Sequence, residues 1–125
     1  MKICVSSQGK DLDSAVDPRF GRCACFIIVD TETLAFEAVA NDNAQGMGGV
    51  GVQSATLVSQ RGVKAVLTGN CGPNAFNALK AAGVAIYTGV SGKVRDAVEA
   101  HRKGTLQPAS QPRALPGGKP GMGGM

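Results

Sequence analysis

The sequence predicts an α/β domain in which three helices cover both faces of one five-stranded mixed sheet, in the chain order β-β-β-α-β-α-β-α. Short apolar runs rich in valine and isoleucine mark the strands, and helical and strand patterns alternate after residue 51. Parallel strands need a crossover connection, usually a helix, and such crossovers are right-handed. We therefore expect a three-layer α/β/α architecture with the first strand central, a hairpin on one side and two parallel strands on the other.

The first three strands come from the amino-terminal third of the chain. Residues 2–7, "KICVSS", and 23–30, "CACFIIVD", are apolar runs, while 31–40, "TETLAFEAVA", opens with a turn and continues as a strand. The turn at 30–33 is short, which predicts that the second and third strands form an antiparallel hairpin. A glycine-rich segment, 41–51, follows them.

The remaining elements alternate. Helices are predicted at 52–61, at 73–82 and from Ser91 onward, and strands at "VKAVLTG" and "VAIYTG" between them. Pro73 suits the first turn of its helix, and Gly83 suits the position just after its end.

Composition predicts one folded domain over residues 1–103 and a disordered tail over 104–125. The whole chain has 125 residues, 43% of them hydrophobic, but few aromatic residues and no tryptophan, so the core should be aliphatic. The tail holds six glycines and four prolines and no acidic residue. Such a segment has little apolar surface with which to offset the entropy lost on ordering.

Charge and cysteine content restrict the partners. The net charge is +4, and no acidic residue occurs between Asp42 and Asp96, which favours an anionic partner. No secretory signal and no run of about 18 apolar residues is present, so we expect a cytoplasmic protein without a membrane partner. The four cysteines should then be reduced.

The predicted topology gathers several segments at the carboxyl edge of the sheet. The loop 8–22, the glycine segment 41–51, the turns 69–72 and 89–92 and the starts of all three helices should meet there. Ligands of open α/β sheets bind at this edge, and helix amino termini attract anions. Arg19 and Arg22 lie in the same region, so we predict an anion-binding site.

Two cysteines are candidate metal ligands at this edge. Cys71 directly precedes a helix start, a position that lowers the pKa of a thiol, and Cys23 begins the second strand. Cys23 and Cys25 form one C-x-C pair, expected on one face of the strand, which is a weak metal pattern by itself. The alternative, that Cys71 is a small buried residue in a turn, stays open at this point.

The sequence does not support the two enzymatic hypotheses that its motifs suggest, a dinucleotide-binding enzyme and a nuclease. Gly46, Gly48 and Gly51 fit G-x-G-x-x-G, but the acidic residue that should follow about 20 positions later to bind a ribose is missing. A two-metal nuclease needs carboxylates from several strands, whereas the aspartates at positions 11, 13 and 17 lie in one loop. We therefore expect a protein that is not an enzyme.

Four motifs together carry a family resemblance. They are "DPRFGRC" (17–23), "GMGGVGVQSA" (46–55), "TGNCGPNAFNALKAAGVAIYTG" (68–89) and "GKVRDAV" (92–98). Over about residues 2–103 the chain resembles the dinitrogenase iron-molybdenum cofactor biosynthesis family. The resemblance implies a ribonuclease-H-like fold that binds an anionic metal–sulfur cluster, containing molybdenum with iron or copper, and carries or protects it.

The resemblance also implies a set of binding residues and partners. The cofactor-binding positions are Arg19, Arg22, Met47, Gly48, Gly49, Asn70 and Gly72, with Cys71 and Cys23 as the candidate metal ligands. The cluster is held without a covalent bond to protein in some family members. A protein donor or acceptor of the cluster is expected, and nucleic acid is not. The alternative is a non-catalytic interaction module that binds an acidic partner protein or a small oxyanion at the same edge.

Overall fold

The computed structural model describes residues 1–42 and 49–112. Its elements, in chain order, are β1 (Lys2–Ser7), β2 (Cys25–Asp30), β3 (Phe36–Ala40), α1 (Val50–Ser59), β4 (Ala65–Leu67), α2 (Pro73–Ala81), β5 (Ala85–Tyr87) and α3 (Val94–Arg102). The strands form one sheet in the order β3-β2-β1-β4-β5. β2 is antiparallel to both of its neighbours, and β4 and β5 run parallel to β1. The predicted fold class, element order and central first strand are therefore confirmed.

The sheet separates two hydrophobic cores because successive side chains of a strand point to opposite faces. In β2, Phe26 and Ile28 face one core, while Ile27 and Val29 face the other. Helices α1 and α2 cover the first core, called here the α1/α2 core, and α3 covers the second, the α3 core. This arrangement confirms the three layers.

The hairpin turn between β2 and β3 is longer than predicted. Asp30 Oδ1 accepts hydrogen bonds from the backbone N–H of Glu32, at 2.8 Å, and of Thr33, at 3.3 Å, a local turn that competes with strand pairing. Leu34 then adopts a left-handed backbone conformation, with φ 64°. Strand β3 consequently begins at Phe36, two residues later than a turn limited to 30–33 implies.

Backbone carbonyls of the loop 8–22 cap the amino terminus of α3. The N–H of Val94 donates to the carbonyl of Ser14 at 2.9 Å, and the N–H of Arg95 donates to the carbonyl of Leu12 at 2.8 Å. These amides would otherwise be two of the unpaired donors of the first helical turn. The start of α3 is thus capped by the protein's own backbone, and the helix begins three residues after the predicted Ser91.

The chain after α3 keeps contact with the domain. Leu106 packs against the α3 core and Ala109 against the α1/α2 core. The N–H of Ala109 donates to the carbonyl of Ile86 at 2.6 Å. Strand β5 lies at an edge of the sheet, so this bond covers part of an open edge. The sequence-based division at residue 103 therefore leaves out two residues that pack on the domain, and residues 113–125 lie outside the described part.

No helix within residues 1–42 and 49–112 is both long enough and apolar enough to cross a membrane.

A close backbone contact fixes the turn after β4 against the loop 8–22. Arg19 and Asn70 form an isolated parallel bridge, in which the N–H of Phe20 donates to the carbonyl of Asn70 at 3.2 Å. A Cβ atom on Gly69 would lie 2.7 Å from the Cα of Pro18 and 3.0 Å from its carbonyl oxygen. Only glycine permits this approach.

We expect Gly69→Ser to lower the free energy of unfolding by about 1–3 kcal/mol, since the obstructing atoms belong mainly to backbone and cannot move aside. Gly72→Ser is the matched control: a Cβ there would meet nothing within 4 Å, and serine suits the N-cap position that Gly72 occupies. Chemical denaturation of both variants measures the difference. Equal stabilities would contradict the proposed close packing.

Candidate functional site

A cavity of about 370 Å³ lies at the carboxyl edge of the sheet, between the starts of α1 and α2. Of the predicted site residues, four line it: Arg19, Gly49, Asn70 and Gly72. The other lining residues are Phe20, Gly21, Val50, Gly51, Val52, Pro73, Asn74 and Ala75. The predicted residues Met47 and Gly48 lie outside the described part of the chain.

The cavity is lined by the first turns of two helices. The first intrahelical bonds run from Gln53 N–H to the carbonyl of Gly49 and from Phe76 N–H to the carbonyl of Gly72, both at 2.9 Å. The backbone donors that precede them cannot be satisfied within the helices. Both N-cap residues are glycines, which have no side chain to accept from these amides, and neither first turn contains an acidic residue. Unpaired amides and the positive end of the helix dipole favour an anion here.

Small residues bring the two helix starts together. A Cβ on Gly51 would lie 3.1 Å from the Cβ of Ala75, and a Cβ on Gly21 would lie 3.1 Å from the Cα of Gly51. Larger side chains at these positions would push α1 away from α2 and from the loop 8–22. The first turns of both helices therefore line one cavity.

The sequence predicted that all three helix starts contribute to the site, and this expectation is wrong for α3. Its first amides donate to the loop 8–22, as described above, and its first turn contains Asp96. The helix also covers the opposite face of the sheet. The convergence at the cavity therefore involves α1 and α2.

Arg19 is the arginine that lines the cavity, and the carboxylate of Asp17 holds its guanidinium in place. Asp17 is buried, and its Oδ1 accepts hydrogen bonds from Arg19 N–H at 2.9 Å and from Arg19 Nε at 3.3 Å. Its Oδ2 accepts from Arg19 Nη2 at 3.4 Å. The Arg19 side chain remains 51% exposed, so its other N–H groups are accessible to a ligand. Sequence reasoning treated Asp17 as a loop residue and missed this role.

Arg22 lies one turn further along the same loop, and its N–H donates to the carbonyl of Arg19 at 3.3 Å. It is exposed. Arg22 is not one of the described residues that line the cavity, so its role in ligand binding stays a prediction.

Two further polar residues, Asn41 and Ser54, join the segments around the cavity and were not predicted. The buried Asn41 donates from Nδ2 to the carbonyls of Gly21, at 3.1 Å, and Cys23, at 3.0 Å. Ser54, fully buried on α1, donates from Oγ to Asn41 Oδ1 at 3.2 Å. This network ties the end of β3 to α1 and to the loop 8–22. Asn41 directly follows β3 and belongs to no recognisable motif, so the sequence alone gives no sign of this role.

The two candidate metal ligands are buried in the α1/α2 core, and neither lines the cavity as described. Burial raises the pKa of the Cys71 thiol to about 11. Burial is also the main reason that the pKa of Cys23 is raised to about 12. The expectation that the helix start lowers the pKa of Cys71 is therefore wrong, because desolvation of the thiolate outweighs the dipole. Their role as ligands stays a hypothesis that no contact supports.

The C-x-C pair is also split between the two cores. Cys23 lies in the α1/α2 core and donates to the carbonyl of Phe20 at 3.3 Å, whereas Cys25 faces the α3 core. The strand begins only at Cys25, so the period of two does not extend back to Cys23. Within the described residues, no group of three or more histidine, cysteine, aspartate or glutamate side chains could hold a metal ion.

The fold and the cavity define a small α/β/α protein with a ligand-sized cavity at the carboxyl edge of its sheet. The chain belongs to the dinitrogenase iron-molybdenum cofactor family, whose model matches residues 1–104. The resemblance predicted from the four motifs is therefore confirmed.

Solved structures and a curated relative agree with this assignment. The apo form of the orange protein from Desulfovibrio gigas is 38% identical, with a TM-score of 0.88 over 90% of this chain and 96% of that chain. A NifB-like protein from Thermotoga is also 38% identical, with a TM-score of 0.72 over 86% of this chain and 91% of that one. An uncharacterized protein of Methanocaldococcus jannaschii is 32% identical over 98 residues, which are 76% of this chain and 83% of the relative. The family and these neighbours indicate a role related to a cofactor or cluster.

Because the pKa of Cys71 is raised to about 11, we expect iodoacetamide to alkylate it slowly at neutral pH in the folded protein. The nucleophile is the thiolate, whose population falls about tenfold for each unit by which the pH lies below the pKa. Cys4, whose pKa burial raises well above its ordinary value, should be similarly slow. Mass-spectrometric mapping with and without denaturant measures both rates. Labelling of Cys71 in the native protein as fast as in the unfolded chain would contradict its burial.

Proposed function

We propose that this protein binds an anionic metal–sulfur cluster in the cavity between α1 and α2 and carries or protects it without catalysing a reaction. The cargo is a cluster of molybdenum with iron or copper, as the resemblance implies; the family name itself includes iron and molybdenum. The observation that carries the proposal is the meeting of two glycine-capped helix starts and one guanidinium around a single cavity.

The chemistry of these donors suits a cluster with sulfide on its surface. Backbone N–H groups and a guanidinium donate hydrogen bonds to anionic acceptors, and oriented amides form anion-binding concavities. A Cβ on Gly49 or Gly72 would meet nothing within 4 Å, so these two glycines leave room for a bulky ligand to approach the backbone. A volume of about 370 Å³ exceeds what a monatomic anion requires. Asn70 completes the wall on the side of β4.

The ion pair between Asp17 and Arg19 favours reversible binding of the cluster. The carboxylate fixes Arg19 through Nε and Nη2 and offsets its charge. The site can therefore orient an anion without a large net positive potential. Arg22, Met47 and Gly48 belong to the proposed contact set as residues of the adjoining segments. A cluster held chiefly by hydrogen bonds can be passed on without breaking metal–protein bonds.

Thiolate ligation has a smaller place in this proposal. Cys71 is 1% exposed and Cys23 is fully buried, so either side chain would have to leave the core to reach a metal. Both thiols are also held in the neutral form by burial at neutral pH. We therefore assign cluster retention to the amides and to Arg19, with the cysteines as ligands only in a rearranged state.

A carrier requires a donor or acceptor of the cluster, and we propose a protein partner of cofactor assembly in that role. The side chain of Arg19 is half-exposed, so the cavity can be reached from outside. The four cysteines described here are all free, which is typical of a reducing compartment, and we propose that the protein acts in the cytoplasm.

Reconstitution tests the function directly. Anaerobic incubation of apo-protein with tetrathiomolybdate and Cu(I), or with an iron–sulfur precursor, should give charge-transfer absorption and about one cluster per chain after gel filtration. Absence of retained metal with every cluster tried would contradict cluster binding. Retention of a simple oxyanion alone would favour the interaction-module alternative.

The arginine comparison tests the site. Arg19→Ala should weaken cluster retention by about tenfold or more, since a hydrogen bond to a charged group contributes about 1.5–3 kcal/mol. Arg61→Ala is the matched control, because Arg61 is also partly exposed and paired with a carboxylate, Glu37 at 3.5 Å, but follows the carboxyl end of α1. Equal losses in both variants would mean that only overall charge attracts the cluster.

A further inference from the structure

Asn70 is held in one orientation at the wall of the cavity. The residue is 9% exposed and directly follows the turn at Gly69. Its backbone carbonyl accepts from Phe20 N–H, and its Nδ2 donates to the carbonyl of Pro18 at 3.1 Å. Exchanging the amide nitrogen and oxygen would set two carbonyl oxygens against each other, so the orientation is determined by this bond.

The remaining atom of this amide, Oδ1, is a buried acceptor that pairs with no donor among residues 1–42 and 49–112. Buried polar atoms are nearly always hydrogen-bonded, and an unsatisfied one costs about 1–3 kcal/mol. The first amides of α1 and α2 and the guanidinium of Arg19 are donors, while the side chain of Asn74, which also lines the cavity, carries both a donor and an acceptor. Asn70, which lines the cavity, thus brings an unsatisfied acceptor close to these donors. Because Oδ1 is buried in the unliganded protein, a ligand reaches it only with a small shift of the cavity wall.

We propose that Asn70 Oδ1 accepts a hydrogen bond from the bound ligand, so that the cavity selects an anion that carries a proton donor over an equally charged anion without one. For a metal–sulfur cluster, the donor is a hydrosulfide or hydroxide group on its surface. This inference rests on the proposed function of the cavity. It adds that the cargo is taken up with at least one proton on the atom that faces Asn70.

In this arrangement, the contact between the ligand and Asn70 depends on whether the ligand is protonated. With the proton present, the ligand satisfies both the donors of the helix starts and the acceptor of Asn70. After its loss, an anionic sulfide or oxide would face the Oδ1 lone pairs, and the contact would become repulsive. Deprotonation of the cargo therefore removes the contact with Asn70, while the added negative charge strengthens the attraction to the helix starts and Arg19.

Two tetrahedral dianions isolate this effect. Hydrogen phosphate and sulfate have the same charge and similar shape, and they differ by one O–H donor. At mildly alkaline pH we expect the wild-type protein to bind hydrogen phosphate about tenfold more tightly than sulfate, measured by titration of the amide resonances of Gly51 and Asn74. Asn70→Ala should bring the ratio close to one. Asn77→Ala, which removes an exposed asparagine from α2 outside the cavity, should retain it.

Each other outcome overturns the inference. Equal affinities in the wild-type protein would mean that ordered water already pairs with Oδ1. A preference that survives in Asn70→Ala would place its source elsewhere. Failure of both anions to bind at millimolar concentration would also refute it. The wild-type ratio is decisive even if Asn70→Ala does not fold. Cluster retention by wild-type protein is a separate measurement, so the proposed function can stand when this inference fails.

Discussion

The contact between the first turns of α1 and α2 is the constraint on which the cavity depends. Gly51 lies against Ala75, and Gly21 lies against Gly51, at distances that leave no room for a Cβ atom without displacement. Because two helices begin side by side, their unpaired amides face one space instead of two. The loop 8–22 is fixed to this region by the Arg19–Asn70 bridge and by Asn41, and so Arg19 lies beside the helix starts. Close packing and anion binding therefore depend on the same small residues.

Buried polar residues join the segments that meet at the carboxyl edge of the sheet. Ser6 Oγ lies 2.7 Å from both the carbonyl of Asp17 and the hydroxyl of Thr68, which joins β1, the loop 8–22 and the end of β4. Asp17 in turn fixes Arg19, and Ser54 fixes Asn41. Satisfied networks of this kind hold one arrangement of loops. A preorganised set of donors binds a ligand with less loss of side-chain and loop entropy.

The sequence was sufficient for the architecture because the elements carry strong local signals. The apolar run at 23–30 and the Pro73-to-Gly83 helix predicted β2 and α2 closely, and the crossover rules then gave the strand order. The turn before β3 was predicted to end at residue 33, about two residues too early, because Asp30 and Leu34 extend the local turn into an otherwise strand-like run. The capping of α3 depends on contacts between Val94 and a loop about 80 residues earlier, which periodicity does not report.

The position of a cavity at the carboxyl edge followed from topology, whereas the burial of the cysteines beside it did not. Topology placed Arg19, Gly49, Asn70 and Gly72 at one edge, and the structure brings these residues around one cavity. The sequence does not show how deeply the side chain of Cys71 is buried, and its pKa depends on that burial. A residue next to a helix start has a lowered thiol pKa only when solvent or a charge stabilises the thiolate, and the side chain of Cys71 instead packs in the core. Chain position alone cannot distinguish these two environments.

In the proposed complex the ligand lies against the first turns of α1 and α2 and away from α3. A two-dimensional ¹H–¹⁵N spectrum of the protein, recorded with and without a diamagnetic molybdenum–copper sulfide cluster, tests it residue by residue. We predict large shifts for the amides of Gly51, Val52, Asn74 and Ala75, with those of Val94 and Arg95 unchanged because they already donate to the loop 8–22. Shifts concentrated at Val94 and Arg95, or spread evenly over the domain, would contradict the claim.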